Sequence, residues 1–420
     1  MHRWFSCRAL LQLVCLPLSL AACGSDGSQD PKVEDPGTVV HEVELFSWWI
    51  APSEADALDA LISLHNEDFP NDKIENAAAA SGDQARDVLN AQLAAGNPPA
   101  LFQENAYDLP ELLATNPDSL VSLSELFAEE GLHDVIVPEV IEDVTLDGEI
   151  YGMPVNIHRE NALHYNKRIF ADLDLEPPTT LDEFLAACDT IKAAGIVPLA
   201  TAHQGWIQRI LFNSLASAAL GPEAYNAYFS GESELDEAAM REAIALYERV
   251  LTDYVNESAS DPNVGWTEAA DLVLDGQAAM FIHGDWAKGY YVQQEWEPGE
   301  DFGVVGMPGA ADLFLYGVDV FAMPKGGPEP EASQRFLRTV VSKAGQVAFN
   351  RLKGSSPIRL DTSIEDLDSE GQATLEDLRD ANVRMLARSD PAWDEALFAF
   401  TSSHDHDALL AAYLDNPPAK

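Results

Sequence analysis

Apolar and polar positions alternate with a period of two at HEVELF (41–46), which predicts a first strand. The period lengthens to that of a helix across SEADALDALISLHNEDFP, with Ser47 or Ser53 as candidate cap and Pro70 as the stop. A second helical stretch, DQARDVLNAQLAAG, ends at Gly96, and ALFQENAY follows as a buried strand opening into a loop. Asp147–Gly148 marks a hairpin turn. PPTTLDEFLAACDTIKAAG (177–195) opens a helix behind a proline turn, and IVPLATA reads as a buried strand. Residues 207–255 are mainly helical in pattern, whereas LVLDGQAAMFIHGDWAKGYY (272–291) runs helix, turn, strand, loop, helix. Such alternation predicts an α/β fold. A helical middle followed by a return to strands predicts two lobes joined by crossovers.

Length agrees, because 420 residues exceed what one hydrophobic core usually organises. No internal repeat is visible. The charge is unusual: 71 acidic against 24 basic side chains give a formal net charge of -47. That field repels nucleic acid and anionic surfaces and disfavours a polyanionic ligand. It suits a setting in which salt screens the self-repulsion.

The N-terminus carries an address. Arg3 and Arg8 precede an apolar run at 9–22 that is too short to cross a bilayer and fits a secretory signal. It ends in LAAC, followed by Gly24 and Ser25, a pattern resembling a bacterial lipobox. The expectation is a signal peptide at 1–22, lipid on Cys23, and a flexible tether over 23–40, rich in Gly, Pro and Asp. Cys7 and Cys15 leave with the signal. Cys188 then stands alone, which excludes a disulfide framework and marks it as a core thiol. The protein is expected to be exported and held at a membrane by its lipid.

Phosphate-binding GxxxxGK, GxSxG and HExxH patterns are all absent. His404 and His406 in SSHDHD read as a solvated turn, and no metal site is expected. Close carboxylate pairs carry no glycosidase argument in a chain with so many acids. What stands out is the chemistry at predicted strand ends. Trp48 and Trp49 follow VELF, with Glu54 just beyond; Asn105 follows ALFQE; His158 follows MPVNI; Trp206 follows IVPLATAHQG; Trp286 follows AAMFIHGD. Asp319 lies within LFLYGVDVFAM, and Lys353 closes FNRLK. Ligands of open α/β sheets bind beyond the carboxyl ends of strands. Indoles stack on the apolar face of a sugar ring, while carboxylates, amides and lysine meet its hydroxyls.

GNPPA (96–100), YGMPVNIHR (151–159), GQAAMFIHGDWAKG (276–289), GVDVFAMPKG (317–326) and FNRLKGSSPIR (349–359) resemble the sugar-binding lipoproteins of ATP-binding-cassette importers, nearest the glucose/mannose subgroup of the maltose-binding-like family. The resemblance implies a two-lobed periplasmic-binding-protein fold with hinge crossovers and the ligand in the cleft between the lobes. The first lobe would comprise 41–153 and 311–358, the second 154–310 and 359–420. It implies sugar contacts at Trp48, Trp49, Glu54, Trp286, Asp319 and Lys353, with Asn105, His158 and Trp206 added by their strand-end positions. It further implies a monomer without catalysis or cofactor that binds a mono- or small oligosaccharide and delivers it to permease subunits. The glucose-type members carry a lysine where Asn105 aligns and an asparagine where Gly317 aligns. Their late ligand-binding histidine falls near Trp393 or Asp394. The other readings are a ligand-sensing partner of a membrane receptor and a secreted carbohydrate-active enzyme.

Overall fold

The computed structural model describes residues 39–78, 83–261 and 263–418. Cys23, the signal segment 1–22 and all but the last two residues of the tether 23–40 lie outside them. In chain order the strands are β1 (His41–Phe46), β2 (Asp72–Asn76), β3 (Leu101–Asn105), β4 (Thr145–Leu146), β5 (Glu149–Ile150), β6 (Met153–Pro154) and β7 (His158–Arg159). There follow β8 (Ala162–Asn166), β9 (Val197–Ala200), β10 (Ala278–His283), β11 (Phe302–Gly306), β12 (Leu313–Gly317), β13 (Asp319–Ala322) and β14 (Val383–Leu386).

The alternating HEVELF becomes β1, which pairs in parallel with β2 and β3. The first sheet runs β2-β1-β3-β13-β6, the second β11-β8-β10-β9. The predicted hairpin is β4 with β5, and Asp147 and Gly148 both take positive φ at its turn. The first long helix, Pro52–Asp68, has Ala51 as its N-cap with no side-chain bond; neither serine caps it. Pro52 has no N–H to satisfy there, and Ser47 instead donates to Asn76 Oδ1 at 2.7 Å. Cys188 is buried in the helix Leu181–Ala193, whose start is fixed by a Thr180–Glu183 capping box. His406 meets Glu248 at 2.9 Å. Among the described residues no helix is long and apolar enough to cross a membrane.

Two large hydrophobic cores follow the two sheets. The first gathers Val43, Leu45, Phe102, Val320 and Phe349; the second gathers Leu163, Phe184, Leu215, Met280 and Trp393. Between them runs a third sheet, β14-β12-β7. Its middle strand is divided by the pleat: Phe314 and Tyr316 enter the first core, Leu313 and Leu315 the second. Successive strand side chains point to opposite faces, so one buried strand serves both cores. Residues 359–420 divide in the same way. Leu375 and Leu378 pack on the first core, whereas Leu397, Phe400 and Tyr413 pack on the second.

Candidate functional site

Where the strand ends of both sheets meet the connecting sheet lies a partly open cavity of about 520 Å³. All nine side chains singled out from the sequence line it: Trp48, Trp49, Glu54, Asn105, His158, Trp206, Trp286, Asp319 and Lys353. The local sequence explains how each arrives there. β1 ends at Phe46, and its period of two can place only one of two adjacent indoles in the core. Trp49 takes that place, 1% exposed against Phe321 and Phe349. Trp48 is half-buried, with the Arg86 guanidinium 5.0 Å from its ring centroid.

Glu54, in the first turn of its helix, accepts from Lys353 Nζ at 2.7 Å. That ammonium also lies 5.7 Å from the Trp49 ring and 5.6 Å from the Trp286 ring, a cation held between two indoles. The motifs GDWAKG and LKGS meet here through their glycines. A Cβ on Gly284 would fall 1.9 Å from the Trp286 ring, so the indole folds back over bare backbone. A Cβ on Gly289 would fall 2.5 Å from Leu352 O, and one on Gly354 2.6 Å from Gly289 N. The helix Trp286–Gln293 therefore abuts the end of the helix Lys343–Lys353 at a distance only glycine allows.

The floor is a chain of hydrogen bonds. Trp48 N donates to Gln103 Oε1 at 3.2 Å, and Gln103 Nε2 donates to Asp319 Oδ1 at 3.0 Å. His158 Nε2 lies 3.1 Å from Asp319 Oδ2, and His158 Nδ1 lies 2.5 Å from Asp285 Oδ1. Asn156 adds a bond to Asp319 at 3.0 Å. Burial and Lys353 work against a charge on His158, but the carboxylates of Asp285 and Asp319 prevail and raise its pKa. Burial alone would raise Asp319, yet His158, Lys353 and Asn156 hold it down to about 2. The His158 imidazole, favoured in its protonated form by these carboxylates, thus ties the start of β13, in the first sheet, to the start of the helix that carries Trp286.

The opposite wall is aromatic. Trp206 and Trp286 have centroids 6.3 Å apart, and both lie against His283. His283 stacks on Phe281 at 4.5 Å and on Trp266 at 5.8 Å, and accepts from Trp286 Nε1 at 2.9 Å. Burial holds its pKa well below the usual histidine range. Asp394 lines the cavity, whereas its neighbour Trp393 is packed in the second core and donates to Asn416 O at 3.1 Å.

Trp266, Arg86, Glu160 and Arg209 also line the cavity, beyond those singled out from the sequence, as does Tyr107, which with Asn105 follows the predicted strand ALF. Trp266 opens a helix instead of ending a strand, so a strand-end search passes over it. Arg209 carried a legible signal: it is a cation inside the buried helical run IQRILFNSL, where it must find partners.

Two α/β cores linked by a shared sheet, with a polar and aromatic cleft between them, define a binding protein of the two-lobed kind. The chain belongs to the family described as bacterial extracellular solute-binding protein, which it matches over residues 51–347. It is similar to a probable sugar-binding periplasmic protein of Mesorhizobium japonicum, 33% identical over 348 residues, covering 82% of each chain. An uncharacterized ABC transporter extracellular-binding protein of Pyrococcus horikoshii, PH1214, is 29% identical over 388 residues, 90% of this chain and 86% of that one. A solved chitin oligosaccharide binding protein shares the fold with a TM-score of 0.76 at 21% identity, covering 90% of this chain and 98% of its own. These relatives are binding proteins, not enzymes.

Proposed function

We propose that this protein is the extracytoplasmic sugar-binding component of an ABC importer, tethered through lipid on Cys23 and delivering a neutral sugar to permease subunits. The observation that carries the reading is the convergence of indoles, carboxylates, an amide, a histidine and a lysine on one cavity of about 520 Å³, a size typical of small-molecule sites. The names of the related proteins support it. The ligand is a mono- or small oligosaccharide, with glucose or mannose the leading candidates.

The two lobes, 41–153 with 311–358 and 154–310 with 359–420 except where Leu375 and Leu378 pack back on the first core, close over the sugar about the hinge strands. A strand that packs on both cores suits a hinge of this kind. Trp48 and Trp286 supply ring faces, and Glu54, Asn105, His158, Asp319 and Lys353 meet hydroxyls. A ligand touching both lobes shifts the population toward the closed state.

Thermal shift of the mature protein against glucose, mannose, galactose, xylose, arabinose, maltose and cellobiose tests this. At least one sugar is expected to raise the melting temperature and to change tryptophan fluorescence; no response across the set overturns the proposal. The anchor is tested separately. Cys23→Ser should move the protein from the membrane fraction to the soluble one, and continued anchoring would refute lipidation at Cys23.

A further inference from the structure

At one end of the cavity, Tyr107, Glu160, Arg209 and Asp394 converge from four separate segments. Arg209 comes from the helix Gly205–Leu220, Asp394 from the helix Pro391–Ser403, Tyr107 from the turn Ala106–Asp108, and Glu160 from the link between β7 and β8. Glu160 and Arg209 are each 5% exposed. Arg209 Nη1 lies 3.8 Å from Glu160 Oε2, and Arg209 Nε lies 3.0 Å from Asp394 Oδ1 without the alignment of a hydrogen bond. Glu160 Oε2 and both of those guanidinium nitrogens have no hydrogen-bond partner in the protein.

Buried polar groups are almost always hydrogen-bonded, and leaving one unmatched is costly. Here an acceptor and two donors lie side by side, held in ion pairs but without an aligned hydrogen bond, and the residues that carry them line the cavity. We infer that Glu160 and Arg209 are the specificity-determining polar end of this site, taking adjacent hydroxyls of one neutral sugar ring. The carboxylate accepts from one hydroxyl while the guanidinium donates to its neighbour. A hydroxyl both donates and accepts, so a vicinal pair satisfies the two groups together. This rests on the sugar-binding reading and adds which edge of the sugar is read, and by what.

Two further observations agree. Gly317 closes β12 directly opposite: a Cβ there would come within 2.8 Å of Glu160 Oε1, so bare backbone makes room for the carboxylate. The charge balance also selects the ligand. Arg209 already faces two carboxylates, Glu160 and Asp394, so a uronate or sugar phosphate would bring a third anion to one cation. Burial raises the pKa of Glu160 even with Arg209 and His158 nearby, and a further anion would add to that strain.

The test uses calorimetric titration of the mature protein with the neutral sugars named above and with glucuronate. A neutral sugar is expected to bind most tightly and glucuronate not to compete. Glu160→Gln and Arg209→Gln are then expected to weaken that sugar about 10- to 100-fold, the scale of a hydrogen bond to a charged group. Among the sugar's monodeoxy analogues, one should lose affinity for wild type and lose little further in Glu160→Gln. Melting curves without ligand confirm that both variants fold, and Glu160→Asp serves if glutamine does not. Unchanged affinity and rank order in the variants overturns this inference while leaving sugar binding intact. Preferred binding of glucuronate overturns the neutral-ligand assignment. Failure of every sugar overturns the functional reading together with it.

Discussion

Two buried histidines flank Trp286, with ring centroids 4.8 and 4.9 Å from its own, and their surroundings have opposite character. His158 sits on the polar floor, between Asp285 and Asp319, with Asn156 beside it. His283 sits in the aromatic wall, between Phe281 and Trp266, where its Nε2 accepts from the indole of Trp286. Burial disfavours charge at both. Only His158 has carboxylates close enough to reverse that, so its pKa moves up while that of His283 moves down. One residue type thus does two jobs at one tryptophan. The ring whose pKa is raised ties two sheets together across the cleft, and the ring whose pKa is lowered sets the angle of an indole. Burial alone does not tell which job a histidine has; the groups within about 3 Å do.

The largest expected effect comes from breaking the charged side. His158→Ala leaves Asp285 and Asp319 buried and facing one another without the cation between them. Removing one member of a buried ion pair costs about 3–5 kcal/mol, and urea unfolding of the ligand-free protein should show a loss of that size. A loss under about 1 kcal/mol, the worth of a surface pair, would mean that His158 does not bridge the two carboxylates as charged partners.

The contrast also explains what the sequence made legible. Strand and helix periods located β1, the hairpin β4–β5 and β10 because each element buries one face or is buried whole. Strand ends with polar and aromatic residues led to the cavity because α/β topology forces those ends together. His158 was placed in the site, but its charge depends on Asp285 and Asp319, which lie 127 and 161 residues away along the chain. Such proximity leaves no local pattern. His283 looked like one more position in a buried strand, since its role depends on Phe281, Trp266 and Trp286 folding around it. Trp48 and Trp49 were equivalent in sequence. Only the fold around β1 and the positions of Phe321 and Phe349 separate the half-buried ring from the core ring. The part of Glu160 and Arg209 was hidden for the same reason, although a lone arginine in an apolar helix already asked for a partner.

A smaller and more discriminating effect is the pH dependence of stability. His158 has a raised pKa in the folded state, so its contribution is full below the ordinary value of about 6.5 and is lost as pH rises through the folded value. His283 has a lowered pKa, so its contribution is full above about 6.5 and is lost as pH falls. The acid side is shared with His164, lowered to about 4 by burial, and with His65, also lowered. Asp319, held down to about 2, keeps its charge through that range. Melting temperatures across pH 4 to 9 for wild type, His158→Asn and His283→Phe separate the two. The difference between wild type and His158→Asn should shrink as pH rises above 6.5. The difference for His283→Phe should instead shrink, and can change sign, as pH falls, because phenylalanine has no proton to take up. Parallel curves for both variants would mean that the two rings share one protonation state, and the contrast between floor and wall would fail. Opposite slopes would fix the imidazolium to the carboxylate floor and the neutral ring to the indole wall.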